Sequence, residues 1–149
     1  MRYKKILSFF IPFLLFAADI FLLGLFQQPT VSLLLCFYSA WLFRPNTKQL
    51  IFVSLFLLSS ISLILYGNFG LVLLYLLPLT LLFYQAQKLL NKTFWLPYVF
   101  LTASILTADF LVKPLLLHTS PNILFTGAKL CVNLIIVLII EKLTFRKVI

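Results

Sequence analysis

Six apolar runs follow one another along this chain, and the breaks between them are only a few residues long. They cover about 6–26, 30–43, 50–66, 69–87, 94–117 and 122–140. A helix needs about 20 mostly apolar residues to cross a bilayer, within a range of roughly 17–25. Five runs meet that length. The run 30–43 is short, and must tilt little, sit where the bilayer thins or draw on its flanks. No run alternates with the period of two that marks a membrane β-barrel strand. The pattern predicts an all-α integral membrane protein: a single transmembrane domain over 1–149, built as a bundle of six helices.

Composition excludes the alternatives. Of 149 residues, 63% are hydrophobic and 10% charged, where soluble domains carry about 25% charged residues. A soluble domain of this size has too little interior to hide so much apolar surface. The breaks leave no room for a nucleotide-binding fold, and neither GxxxxGK[ST] nor GxGxxG occurs. HExxH and GxSxG are also missing, and Asp19 and Asp109 lack the Gly-x-Gly-Asp flanks of intramembrane aspartyl proteases. Cys36 and Cys131 lie inside apolar runs and read as small buried hydrophobes, without His or Cys at ligand spacing. The sequence thus predicts no enzyme, no cofactor and no metal. The net charge of +9 is scattered one or two residues at a time. Such scatter builds no groove for nucleic acid, and suits membrane lipid with an anionic surface.

Charge placement sets the orientation. With a cytoplasmic N-terminus, the inner side carries Arg2, Lys4, Lys5, Arg44, Lys48, Lys88, Lys92, Lys142, Arg146 and Lys147. Lys113 and Lys129 are left for the outer half. The three outer turns, near Pro29, Asn68 and Ser120, hold no Lys or Arg. By the positive-inside rule this predicts two cytoplasmic termini. Met1–Lys5 resembles the basic start of a signal peptide. The run behind it is about 20 residues, longer than a 7–15-residue signal core, and no A-x-A-like site closes it, so it reads as an uncleaved first helix.

Ionisable residues inside a span are costly and mark the candidate site. Asp19 in the first run, Asp109 and Lys113 in the fifth and Lys129 in the sixth share the outer half of the membrane, two acids with two bases. Asp109 and Lys113 are four apart, on one helix face. Pro114 removes a backbone donor beside them and predicts a kink. Asn122, Thr126, Lys129 and Asn133 fall at i, i+4, i+7 and i+11. They form one polar stripe, expected to face Asp19, Asp109 or both. The cluster Asp19, Asp109, Lys113, Lys129 and Asn133 is either an ion-pair staple that fixes helix register or a polar site open to the outside. His118 reads as a solvated tip, and Glu141 with Lys142 and Arg146 as a solvated helix end. Ser54, Ser59, Ser60 and Ser62 read as small packing residues. Trp41, Trp95 and Tyr98 read as cytoplasmic interface anchors.

Pro29 opens the short second run, which carries Tyr38 and Trp41 and closes at Arg44-Pro45. The third run ends at Gly67, followed by Asn68-Phe69-Gly70-Leu71. In this order of features, and in its size and spans, the chain resembles the MreD family of rod-shape-determining membrane proteins. It departs from that family at Leu57-Leu58-Ser59-Ser60, where a Gly and an Asp are usual. The resemblance implies a non-enzymatic scaffold of wall elongation in the bacterial inner membrane. Its partners would be an MreC-like bitopic protein and an MreB-like cytoskeletal protein, with Arg44 and Pro45 as candidate partner contacts. The architecture is also similar to the substrate-binding subunits of energy-coupling-factor transporters. That similarity implies a small-solute-binding membrane subunit, although Ala17-Ala18 stands where those subunits often space small residues four apart.

Overall fold

A computed structural model describes residues 2–26, 31–44, 47–89 and 94–145. Every element among the described residues is helical. Helix α1 is Arg2–Phe26, α2 is Leu33–Leu42, α3 is Lys48–Tyr66 and α4 is Gly70–Leu89. The fifth rod, α5, starts as Leu96–Leu106, passes through a π-helical turn at Thr107–Val112 and resumes as Lys113–Leu117. Helix α6 is Ile123–Phe145. Five of the six rods are long and apolar enough to cross a membrane; the ten-residue α2 is the exception. At 1.5 Å per residue α2 is only about 15 Å long.

The short helix is nevertheless the centre of the bundle. It packs against α1, α3, α5 and α6, while α4 closes the far side against α3 and α5. Leu34, Cys36, Tyr38 and Ser39 of α2 are fully enclosed, together with Leu76, Phe100 and Val137 from its surroundings. Aromatic rings fill the middle. Phe100 meets Tyr38 at 5.9 Å and takes Phe43 and Phe83 edge-on at 6.2 and 5.3 Å between centroids. The outer faces of the long helices are the reverse, with Phe10, Leu14, Phe52, Leu81 and Leu124 well exposed. A surface this apolar suits a hydrocarbon solvent, in which only the backbone must be satisfied internally.

Both ends of α2 are sealed by side chains, which is what lets so short a helix lie inside the bundle. At its start, the Asp19 carboxylate accepts the N–H groups of Leu33 at 2.7 Å and Leu34 at 2.9 Å. Asn133 Oδ1 accepts from Ser32 N–H at 3.0 Å, and Ser32 Oγ accepts from Leu35 N–H at 3.3 Å. At its finish, the Thr47 hydroxyl is 2.7 Å from the carbonyl of Trp41, and the Gln87 amide donates to that of Phe43 at 3.2 Å.

Contacts also fix how the rods run. Gln87 at the end of α4 meets Phe43 just past α2, and Tyr98 at the start of α5 meets Glu141 near the end of α6. At the opposite end lie the α3–α4 turn and the start of α6. In that turn Gly67 adopts the left-handed conformation, φ 66°, that glycine allows at a helix end. Its N–H bonds to the Leu63 carbonyl, and the Ser62 hydroxyl reaches the carbonyl of Asn68 at 2.8 Å. Successive rods therefore run antiparallel.

Candidate functional site

Asp109 is the hub of the buried ionic residues, and a local irregularity delivers it. Pro114 has no N–H, and its ring would crowd the carbonyl four residues back in a regular helix. The chain answers with the π turn, in which the Lys113 N–H bonds to Ala108, five residues earlier. The kink expected from Pro114 thus takes the form of a widened turn that contains Asp109. Lys113 Nζ lies 2.7 Å from Asp109 Oδ1. Lys129 Nζ approaches the same carboxylate at 3.2 Å to Oδ1 and 3.4 Å to Oδ2. The Thr126 hydroxyl completes it at 3.2 Å from Oδ2. Two ammonium groups thus share one buried carboxylate.

Asp19 stands apart from that triad. It makes no ion pair among the described residues, and serves instead as the buried cap of α2. Its charge is met by two backbone donors and by the positive end of the helix dipole. The expected single cluster of four charges is therefore two units, with Asn133 between them. Asn133 Oδ1 holds the Ser32 amide and lies 3.3 Å from the Cys36 thiol, while its Nδ2 donates to the Lys129 carbonyl at 2.7 Å. The stripe of α6 faces inward as expected at Thr126, Lys129 and Asn133, all buried. Asn122 does not join it. Asn122 is exposed, and its side chain accepts the Phe125 N–H of its own helix start.

Beside the triad lies a cavity of about 100 Å³. Its polar wall is made by Ser32, Ser62, Ser104, Tyr66, Tyr75, Lys113 and Lys129, and aliphatic side chains form the rest. Tyr66 ends α3 and Lys113 begins the last segment of α5, so both stand at its outer rim.

A second polar group lies at the other end of the bundle. Glu141 is buried, not solvated, and Tyr98 donates to its Oε2 at 2.6 Å. The Tyr98 ring also meets those of Phe94 and Trp95, tilted against both, at 5.6 and 6.2 Å between centroids. Arg44 is half-buried there. Burial pulls its guanidinium pKa down, and the charge of Glu141 opposes that fall. Arg44 therefore turns partly into the protein, and Pro45 lies outside the described residues. Glu141 could have been read from sequence as the continuation of the α6 stripe, because Val137 and Glu141 follow Asn133 at intervals of four. The adjoining Lys142, which is exposed, masked that signal.

His118 is an exposed tip as expected, at φ 51° where α5 ends. Ser54, Ser59 and Ser62 are buried, and Ser54 and Ser59 turn their hydroxyls onto carbonyls four residues back. Cys36 is buried, but Cys131 is exposed on the apolar outside of α6, against expectation. Its position two residues from the buried Asn133 puts it on the other side of the helix.

No family model, curated protein or solved structure matches this chain.

Proposed function

We propose that this chain is a non-enzymatic scaffold of a bacterial cell-wall elongation complex, resembling MreD, seated in the inner membrane with six crossings and cytoplasmic termini. An MreC-like bitopic protein and an MreB-like cytoskeletal protein are its proposed partners. The observation that supports the reading is the use to which the buried ionic groups are put. Asp19 holds the start of α2, Asp109 ties α5 to α6, and Glu141 ties α6 to Tyr98 on α5. Charges spent on fixing helix positions make a rigid platform, and the basic turns on one side offer it to acidic partner surfaces or anionic lipid. Depletion followed by microscopy tests the proposal. Loss of rod width control is expected, and cells of unchanged width and shape would overturn it. Copurification in mild detergent gives a second test, in which the two partners are expected to come down with the chain.

The cavity beside Asp109 favours a second reading, a small-solute-binding membrane subunit of an energy-coupling-factor-type transporter. For that reading, copurification returns a pair of ATPases instead.

A further inference from the structure

We propose that the cavity beside Asp109 binds a small carboxylate, a proposal that rests on the second, solute-binding reading above and names its ligand class. Charge is the first argument. Lys113 and Lys129 both line the cavity and both lean on one carboxylate, at 2.7 and 3.2 Å from the same oxygen. Two cations against one anion leave the cavity wall with one positive charge in excess. Asp19 pairs with neither lysine among the described residues and does not line the cavity; its oxygens accept from Leu33 and Leu34 instead. In a bundle interior, like charges this close repel strongly, and a second carboxylate between them would give each ammonium its own partner.

Size and access are the second argument. About 100 Å³ is room for roughly three waters at about 30 Å³ each, which matches a ligand of the size of acetate or lactate rather than a nucleotide or a lipid chain. Lys113 retains 22% exposure at the outer rim, so a ligand can reach an ammonium without unfolding a helix. The hydroxyls of Ser62 and Ser104 already donate to the carbonyls of Asn68 and Phe100. Their protons are therefore committed away from the cavity, and the donors left to hold an anion include the two lysines and the Tyr66 and Tyr75 hydroxyls, of which only the lysines carry charge.

Thermal unfolding of the purified full chain in nanodiscs tests this, with sodium lactate and sodium acetate as probes. Lactamide and acetamide serve as neutral isosteres, and sodium chloride matches the ionic strength. Saturable stabilisation by a carboxylate, with none from its amide or from chloride, is expected. Lys113→Met is the informative variant, because it leaves Asp109 paired one-to-one with Lys129 and so keeps the fold neutral. It should weaken carboxylate binding by at least about tenfold, the effect of losing one hydrogen bond to a charged group. An amide or chloride that stabilises as well as the carboxylate would overturn the ligand class while leaving a solute site standing. Stabilisation by none of the probes would overturn the site itself. Carboxylate binding untouched by Lys113→Met would place the ligand elsewhere and overturn the assignment.

Discussion

At the scale of single residues, the balance around Asp109 makes the sharpest prediction. Removing one partner of a buried pair costs about 3–5 kcal/mol, since the survivor keeps its charge in a low dielectric. Asp109→Asn strands two ammonium groups, so it should destabilise the protein by that amount or prevent insertion. Lys129→Met leaves Lys113 to pair with Asp109 and should cost less. The double variant Asp109→Asn with Lys129→Met should recover part of the loss, because one stranded cation is gone. Melting curves of the four proteins in one detergent decide it; strictly additive losses would mean that the residues do not act as a unit. Asp19 obeys a different rule because it faces amides rather than cations. Asp19→Asn keeps one oxygen acceptor and should cost about 1 kcal/mol. Asp19→Leu leaves the Leu33 and Leu34 amides unbonded in the interior and should cost about 2–4 kcal/mol. Equal melting temperatures for those two variants would refute the capping role.

At the scale of elements, the long helices were readable from hydropathy, and so was the existence of a short second one, but not its enclosed place at the centre. The apolar runs 50–66, 69–87 and 122–140 lie within a few residues of Lys48–Tyr66, Gly70–Leu89 and Ile123–Phe145, because a lipid-facing helix must stay apolar for its whole length. The run 30–43 is equally apolar for another reason. It is enclosed by protein on every side, and a buried helix and a membrane-spanning one look alike in composition. What shortens it to Leu33–Leu42 is the bonding of its ends, which depends on Asp19, Thr47, Gln87 and Asn133 arriving from other elements. No local pattern announces such an arrival. The same holds for the site. The i, i+4 spacing of Asp109 and Lys113 and the stripe of α6 were legible, while the division of labour between Asp109 and Asp19 was set by packing. This view predicts a local effect. Asn133→Leu should free the start of α2 without disturbing its finish, so amide exchange should rise at Ser32–Leu35 and stay slow at Ala40–Leu42. Uniform exchange along α2 would contradict the separate sealing of its ends.

At the scale of the whole molecule, the question is how a bundle with a helix of about 15 Å at its centre would make the six crossings proposed for it. Asp19 lies seven residues before the end of α1, which places the start of α2 about 10 Å below that end. The further 15 Å of α2 brings the chain about 25 Å down, close to the roughly 30 Å thickness of a hydrocarbon core. The ends of α2 therefore need not reach both surfaces for the chain to change sides between α1 and α3. The contacts support that change independently, since Phe43 beyond α2 meets Gln87 at the end of α4, opposite the turn at Gly67. Single cysteines in a chain lacking Cys36 and Cys131 should reveal the arrangement. Asn68→Cys and Ser120→Cys should react with a membrane-impermeant maleimide from outside intact spheroplasts. Lys48→Cys and Lys142→Cys should react only after lysis. Labelling of Lys48→Cys from outside would mean that α2 does not carry the chain across. The five long helices would then leave Asn68 and Lys142 on sides that the distribution of Lys and Arg does not favour. Lys142 is the position at which the two topologies differ most plainly: with the N-terminus inside, six crossings return it to the inside and five leave it outside, so its label reports whether α2 carries the chain across.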